Sequence, residues 1–247
     1  MRKHFSVLML IARSTIYKIL GIFIIMGAVE VLLFYYTLSE YPADRSFSQR
    51  TTGLESLFAG SRISWVFAIA FMAVTILLCL TGCEFKSKPG YTLRRLMISE
   101  RSIYLWQALY STCCYLFLWA MQLIITLALC KLYTANANAS SLSNQTVFLA
   151  YYRNSFLHSL LPLDETSRYI RNAALIIGLG TTSACFPFRQ RRGKICAGLI
   201  ILVSMIFVFF DRNMGAFGND IFLILVSVTT AAESLFFALR KEACHEA

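Results

Sequence analysis

The sequence predicts an all-α polytopic membrane protein: one domain over residues 1–247, six spans, both termini cytoplasmic. Three observations predict it. Of the 247 residues 57% are hydrophobic and only 15% are charged, too little polar surface for a water-soluble fold. The apolar residues come in runs of about twenty, the length that crosses a bilayer core. Basic residues also segregate between alternate connectors. Counting flanking residues, fifteen of the 23 Lys and Arg fall in segments assigned to the inside and eight in segments assigned to the outside. Acids run the other way, four inside and seven outside, as the positive-inside rule requires. The net charge of +10 follows from that bias and implies no nucleic acid.

The first fifteen residues are amphipathic. Phe5, Leu8, Met9, Ile11, Ala12 and Ile16 share one side of a helical wheel, and Arg2, Lys3, Ser6, Arg13 and Ser14 the other. The pattern fits an interfacial helix on the inner leaflet, or the basic start of span one. Span one covers about 16–38 and ends in Phe34, Tyr35 and Tyr36, which suit the membrane–water boundary. A loop at 39–62 leads to span two at about 63–82.

Next comes the longest basic connector, in which Leu93, Leu96 and Met97 fall at i, i+3 and i+4 and form one apolar face on a short helix. Arg94, Arg95 and Arg101 point elsewhere. Ser99 is a good N-cap and Glu100 a good first-turn acid for a long third helix, 102–133. The loop at 134–169 places Phe148, Leu149, Tyr152, Phe156 and Leu160 on one face, as in a single membrane-surface helix. Span four, at 170–188, is closed by Pro187, and its Gly178 and Gly180 permit close helix contact. The tight turn RQRRGK at 189–194 joins it to span five at 195–210, and span six follows at 221–239.

Few residues carry recognisable chemistry. Glu30 and Glu233 are the acids inside predicted spans, and a carboxylate there is costly enough to suggest a role with cargo or a proton. A helix interface or a wet cavity also accounts for them. The eight cysteines form no C-x-x-C pair and read as small buried hydrophobes rather than as a metal site or disulfides. The three histidines are scattered, and no H-E-x-x-H, G-x-S-x-G or G-x-x-x-x-G-K-[ST] motif is present. No metal site or catalytic residue is expected, and the chain is not read as an enzyme.

In layout the chain resembles the permease subunits of ABC-2 type ABC transporters: six spans in about 250 residues, an amphipathic N-terminal helix, and the connector GYTLRRLMISER at 90–101 leading into a long third helix. The short 211–220 turn and bulky 134–169 loop are similar to small bacterial permeases of peptide-antibiotic export or immunity. The resemblance implies a coupling helix that docks on a separate cytoplasmic ATP-binding subunit through Tyr91, Leu93, Arg94, Arg95, Leu96 and Met97. Leu93, Leu96 and Met97 would fill a cleft and the arginines pair with acids at its rim. Arg94 and Arg95 also suit simple anchoring to lipid phosphates. The resemblance further implies a second permease, identical or sister, with ATP and Mg on the partner ATPase and no cofactor on this chain. A different class fits the same residues: a non-transporting membrane sensor or scaffold that recruits a cytoplasmic partner through the connector.

Overall fold

The computed structural model describes residues 2–40, 53–81, 99–136, 144–163, 165–210 and 217–239, all helices and short turns, with no strand among them. The helices are α1 (Arg2–Glu40), α2 (Gly53–Gly60), α3 (Ile63–Thr81), α4 (Glu100–Asn136), α5 (Asn144–Arg153), α6 (Ser155–Leu160), α7 (Thr166–Arg191), α8 (Ala197–Phe209) and α9 (Phe217–Leu239). Four are long and apolar enough to cross a membrane, over Ala12–Ser39, Ile63–Thr81, Glu100–Thr134 and Phe217–Ala238.

Helices α7 and α8 miss that standard for different reasons. Helix α8 is apolar but has 13 residues, about 20 Å of rise against a core of about 30 Å. Helix α7 has 26 residues, long enough, but carries Arg168, Arg171, Asn172, Arg189 and Arg191. Its setting explains the polarity. It packs against α4 along one side and α9 along another, and fourteen of its residues are buried. A helix shielded by its neighbours has no apolar requirement all round.

Side-chain partners fix the direction of each long helix. Thr15 Oγ1 meets the Tyr110 hydroxyl at 2.7 Å and Gln122 Nε2 donates to Glu30 at 3.1 Å, so α1 and α4 run parallel. Tyr104 packs on Phe188 and donates to the Thr181 carbonyl, while Thr112 lies against Gly180, so α7 is antiparallel to α4. Arg171 meets Asp220, Gly178 meets Ser227 and Cys185 meets the Ser234 carbonyl, so α9 is parallel to α7. Both sets step by seven residues, the repeat that keeps two helices in register. Phe209 on Phe222 and Gly198 beside Thr230 make α8 antiparallel to α9. Phe67 on Phe210, Phe71 on Phe207 and Cys79 clustered with Cys196 and Leu199 make α3 antiparallel to α8. In chain order α1, α3, α4, α7, α8 and α9 therefore alternate in direction.

Several local expectations are corrected. The amphipathic start and span one form one continuous helix rather than a separate interfacial helix and a span, because no Gly or Pro interrupts the chain before Gly21. The loop at 39–62 contains α2, whose Leu54, Leu57 and Phe58 recur at i, i+3 and i+4 and are buried. The single surface helix in 134–169 is instead two, split at Asn154. Its carboxamide oxygen accepts from the Phe156 and Leu157 amides and caps α6. Phe148, Leu149 and Tyr152 stay exposed, whereas Tyr151, Phe156, Leu157 and Leu160 are buried, so the proposed face does not survive the break. Pro187 lies inside α7, which runs on to Arg191. The real stop is a Schellman turn: Gly193 adopts φ +66°, its amide bonds to the Gln190 carbonyl, and the Lys194 amide bonds to Arg189 at 3.0 Å.

Candidate functional site

The chain has a connector end, marked by Ser99 and the 192–196 turn, and an opposite end marked by α6 and the start of α9. Arg192 of the turn faces Glu100, the first residue of α4, at 3.8 Å. The start of α4 and the 192–196 turn thus lie side by side. Tyr91, Leu93, Arg94, Arg95, Leu96 and Met97 lie outside the described residues. At their exit the Ser99 hydroxyl lies 2.9 Å from the Ser102 hydroxyl, and its carbonyl accepts from the Ser102 and Ile103 amides. Ser99 thus stands at the helix start, with its hydroxyl on the Ser102 hydroxyl rather than on a backbone amide.

Glu30 is fully buried in the middle of the bundle and accepts a hydrogen bond from Gln122, also fully buried. Glu30 Oε1 and Gln122 Oε1 have no hydrogen-bond partner among the described residues. One turn on, Thr126 donates to the Gln122 and Leu123 carbonyls and meets the Tyr151 hydroxyl at 3.0 Å. Polar contacts therefore tie α1, α4 and α5 together. Gln122→Leu would strip Glu30 of the one donor it has among the described residues, in a buried setting. That variant should lose about 1–3 kcal/mol of stability, read as a lower melting temperature in detergent, while Glu30→Gln should stay close to the native value.

Glu233 sits differently. Its side chain is 56% exposed and its carboxylate pairs with Arg189 at 2.5 Å. It is a surface partner near the connector end and not a buried acid. Glu30 and Glu233 do not share a site.

Sequence reasoning missed the largest polar assembly among the described residues, at the opposite end. Arg168 and Arg171 are both 2% exposed and Asp220 is 4% exposed. Arg171 Nη1 donates to Asp220 at 2.8 Å, and its Nε and Nη2 both reach the Asn172 carboxamide oxygen. Asn172 in turn donates to the Ser159 carbonyl at 2.9 Å. Arg168 pairs with Glu165 and donates to the Ser159 hydroxyl at 3.3 Å. Four carriers of charge and the tip of α6 thus lock α7 to α9. The available signal was Arg, Arg and Asn at i, i+3 and i+4 on the flank of an apolar run, which places all three on one helix face.

Below this layer the Arg171 guanidinium stands 5.3 Å over the Phe210 ring. Phe210 is a wall between two apolar cavities. One, of about 160 Å³, is lined by Trp65, Phe67, Phe71, Phe156 and Phe207; the other, of about 60 Å³, reaches Tyr115, Trp119 and Asn172. Trp119 Nε1 is buried with no hydrogen-bond partner among the described residues. Five of the six cysteines described are buried and all six are free thiols; no cluster of metal-ligating side chains occurs among the described residues.

Comparisons with known proteins add no family: no family model, curated protein or solved structure matches this chain.

Proposed function

We propose that this chain is the permease subunit of an ATP-driven exporter of the ABC-2 type, with six spans in the cell membrane and both termini cytoplasmic. The observation that carries the reading is the alternation in direction of α1, α3, α4, α7, α8 and α9. If all six cross the membrane, the start of α1, the end of α3, the start of α4, the 192–196 turn and the end of α9 share one side. That is the side which the Lys and Arg bias marks as cytoplasmic. Helix α7 completes the count as a shielded span, and α8 as a short one that ends in Phe207, Phe209 and Phe210.

The contacts also suggest how a cytoplasmic event would enter the membrane. A push on the connector reaches α4 at Ser99. It passes to α7 through Tyr104, which touches Phe188 and Thr181, and through the Glu100–Arg192 pair. Helix α7 carries it on to α9 through the Gly178–Ser227 crossing. The cargo path would form with a second permease, and ATP with its Mg would bind the partner ATPase.

Co-purification in mild detergent tests the reading. The native chain should bring down an ATPase with a phosphate loop. Leu93→Asp/Leu96→Asp should lose it while keeping the native elution profile. Retention of the ATPase by the double variant, or its absence from the native preparation, would remove the coupling role. A kinase or regulator recovered in its place would favour the scaffold reading.

A further inference from the structure

We infer that the 189–194 turn and Phe237 form a binding site for the phosphate headgroup of an anionic phospholipid in the cytoplasmic leaflet. Three cations converge on one ring. Arg189 and Arg192 stand 4.9 and 4.8 Å from the Phe237 centroid, and Lys194 Nζ stands 5.8 Å away. Arg191 lies beside them, 5.6 Å from the Phe188 ring. An aromatic face attracts each cation weakly, but like charges this close repel one another. Among the described residues the acids seen to pair with them are Glu233, close to Arg189, and Glu100, 3.8 Å from Arg192. No described carboxylate lies within ion-pair distance of Lys194.

The cations are held in place before any ligand arrives. The Schellman turn at Gly193 fixes the chain between Arg189 and Lys194, so the site forms without ordering a loop. Their apolar neighbours point to lipid rather than to a soluble anion. The cations sit where the apolar run of α7 ends at Phe188, and large apolar side chains point outward in the same layer, Ile195 at 79% and Phe236 at 68% exposure. Cations beside outward-facing hydrocarbon match a molecule with a phosphodiester head and acyl tails. Arginine supplies planar paired donors to phosphate oxygens and lysine a compact charge. This inference rests on the membrane orientation proposed above and is independent of any ATPase.

The test uses the full chain in mild detergent and native mass spectrometry, titrating phosphatidylglycerol, phosphatidylcholine, glycerol phosphate and inorganic phosphate. Phosphatidylglycerol should bind in preference to phosphatidylcholine and to both soluble phosphates. Each cation near a lipid surface is worth about fivefold, so Lys194→Gln should weaken phosphatidylglycerol about fivefold and Arg192→Gln/Lys194→Gln about thirty-fold. The control, Lys131→Gln/Arg153→Gln, removes two exposed charges elsewhere and should leave binding unchanged. Equal losses in both double variants, or no loss in either, would overturn the site. Soluble phosphate binding as tightly as the lipid would overturn the lipid assignment. So would loss of a co-purifying protein from Arg192→Gln/Lys194→Gln while lipid binding stays intact.

Discussion

Asp220→Ala should lower the stability of this chain by about 3–5 kcal/mol. Asp220 is the acceptor for Arg171 at 2.8 Å, accepts from Ser167 at 3.4 Å, and lies 3.9 Å from Arg168. Removing it leaves two guanidinium groups, each 2% exposed, with Glu165 as the remaining carboxylate partner described there. Breaking a buried ion pair from one side costs about 3–5 kcal/mol, because the surviving charge stays desolvated. Removing both partners is another matter. A buried pair replaced by apolar side chains of similar volume is often neutral. Arg171→Leu/Asp220→Leu should therefore melt well above Asp220→Ala, despite carrying two substitutions. Thermal melting in detergent, with the yield of monodisperse protein, reads both. If Asp220→Ala melts within a few degrees of the native chain, the polar layer is not the lock between α7 and α9 described above.

The second large effect belongs to the glycines of α7, and the two should behave differently. At Gly180 a methyl group would overlap Thr112 Oγ1 and lie 2.8 Å from Thr112 Cα. The Cα obstacle is backbone and cannot rotate away. Alanine is better than glycine by about 1 kcal/mol in a helix interior, but overpacking at a fixed backbone contact costs about 1–3 kcal/mol. The clash therefore wins, and Gly180→Ala should destabilise by up to about 2 kcal/mol; Gly180→Leu should fail to give folded protein. Thr112→Ala should rescue Gly180→Ala only in part, since it leaves Thr112 Cα in place. At Gly178 the first obstacle is the Ser227 hydroxyl, with Ser227 Cβ at 3.3 Å and its carbonyl at 3.2 Å. Ser227→Ala removes that hydroxyl, at the loss of its hydrogen bond to the Ala174 carbonyl. It should recover more of the Gly178→Ala defect than Thr112→Ala recovers at Gly180. Equal rescue at both positions would mean that the α4–α7 crossing is looser than its backbone contact implies.

Much of the frame was legible without coordinates. The apolar runs located α3 within one residue, and Ser99 and Glu100 marked the start of α4. Gly178 and Gly180 do lie at close helix contacts. Short helices were harder to read. In α2 the period was present at Leu54, Leu57 and Phe58, but eight residues between loops give a weak pattern. In 134–169 a helical wheel assumes an unbroken helix, and the capping side chain of Asn154 ended that assumption.

What the sequence by itself determined is the class: a helical chain too apolar for water, with its basic residues gathered on alternate connectors. Hydropathy and charge bias act residue by residue, so they survive without knowledge of neighbours. What only the tertiary structure decided is which polar residues are shielded and by whom. Glu30 and Glu233 looked alike along the chain, yet one is sealed against Gln122 and the other stands in a surface ion pair. Arg171 and Asp220 are 49 residues apart, and nothing local to either announces the other. The cost of a buried charge is set by the partner that meets it, and that partner is brought by a different helix.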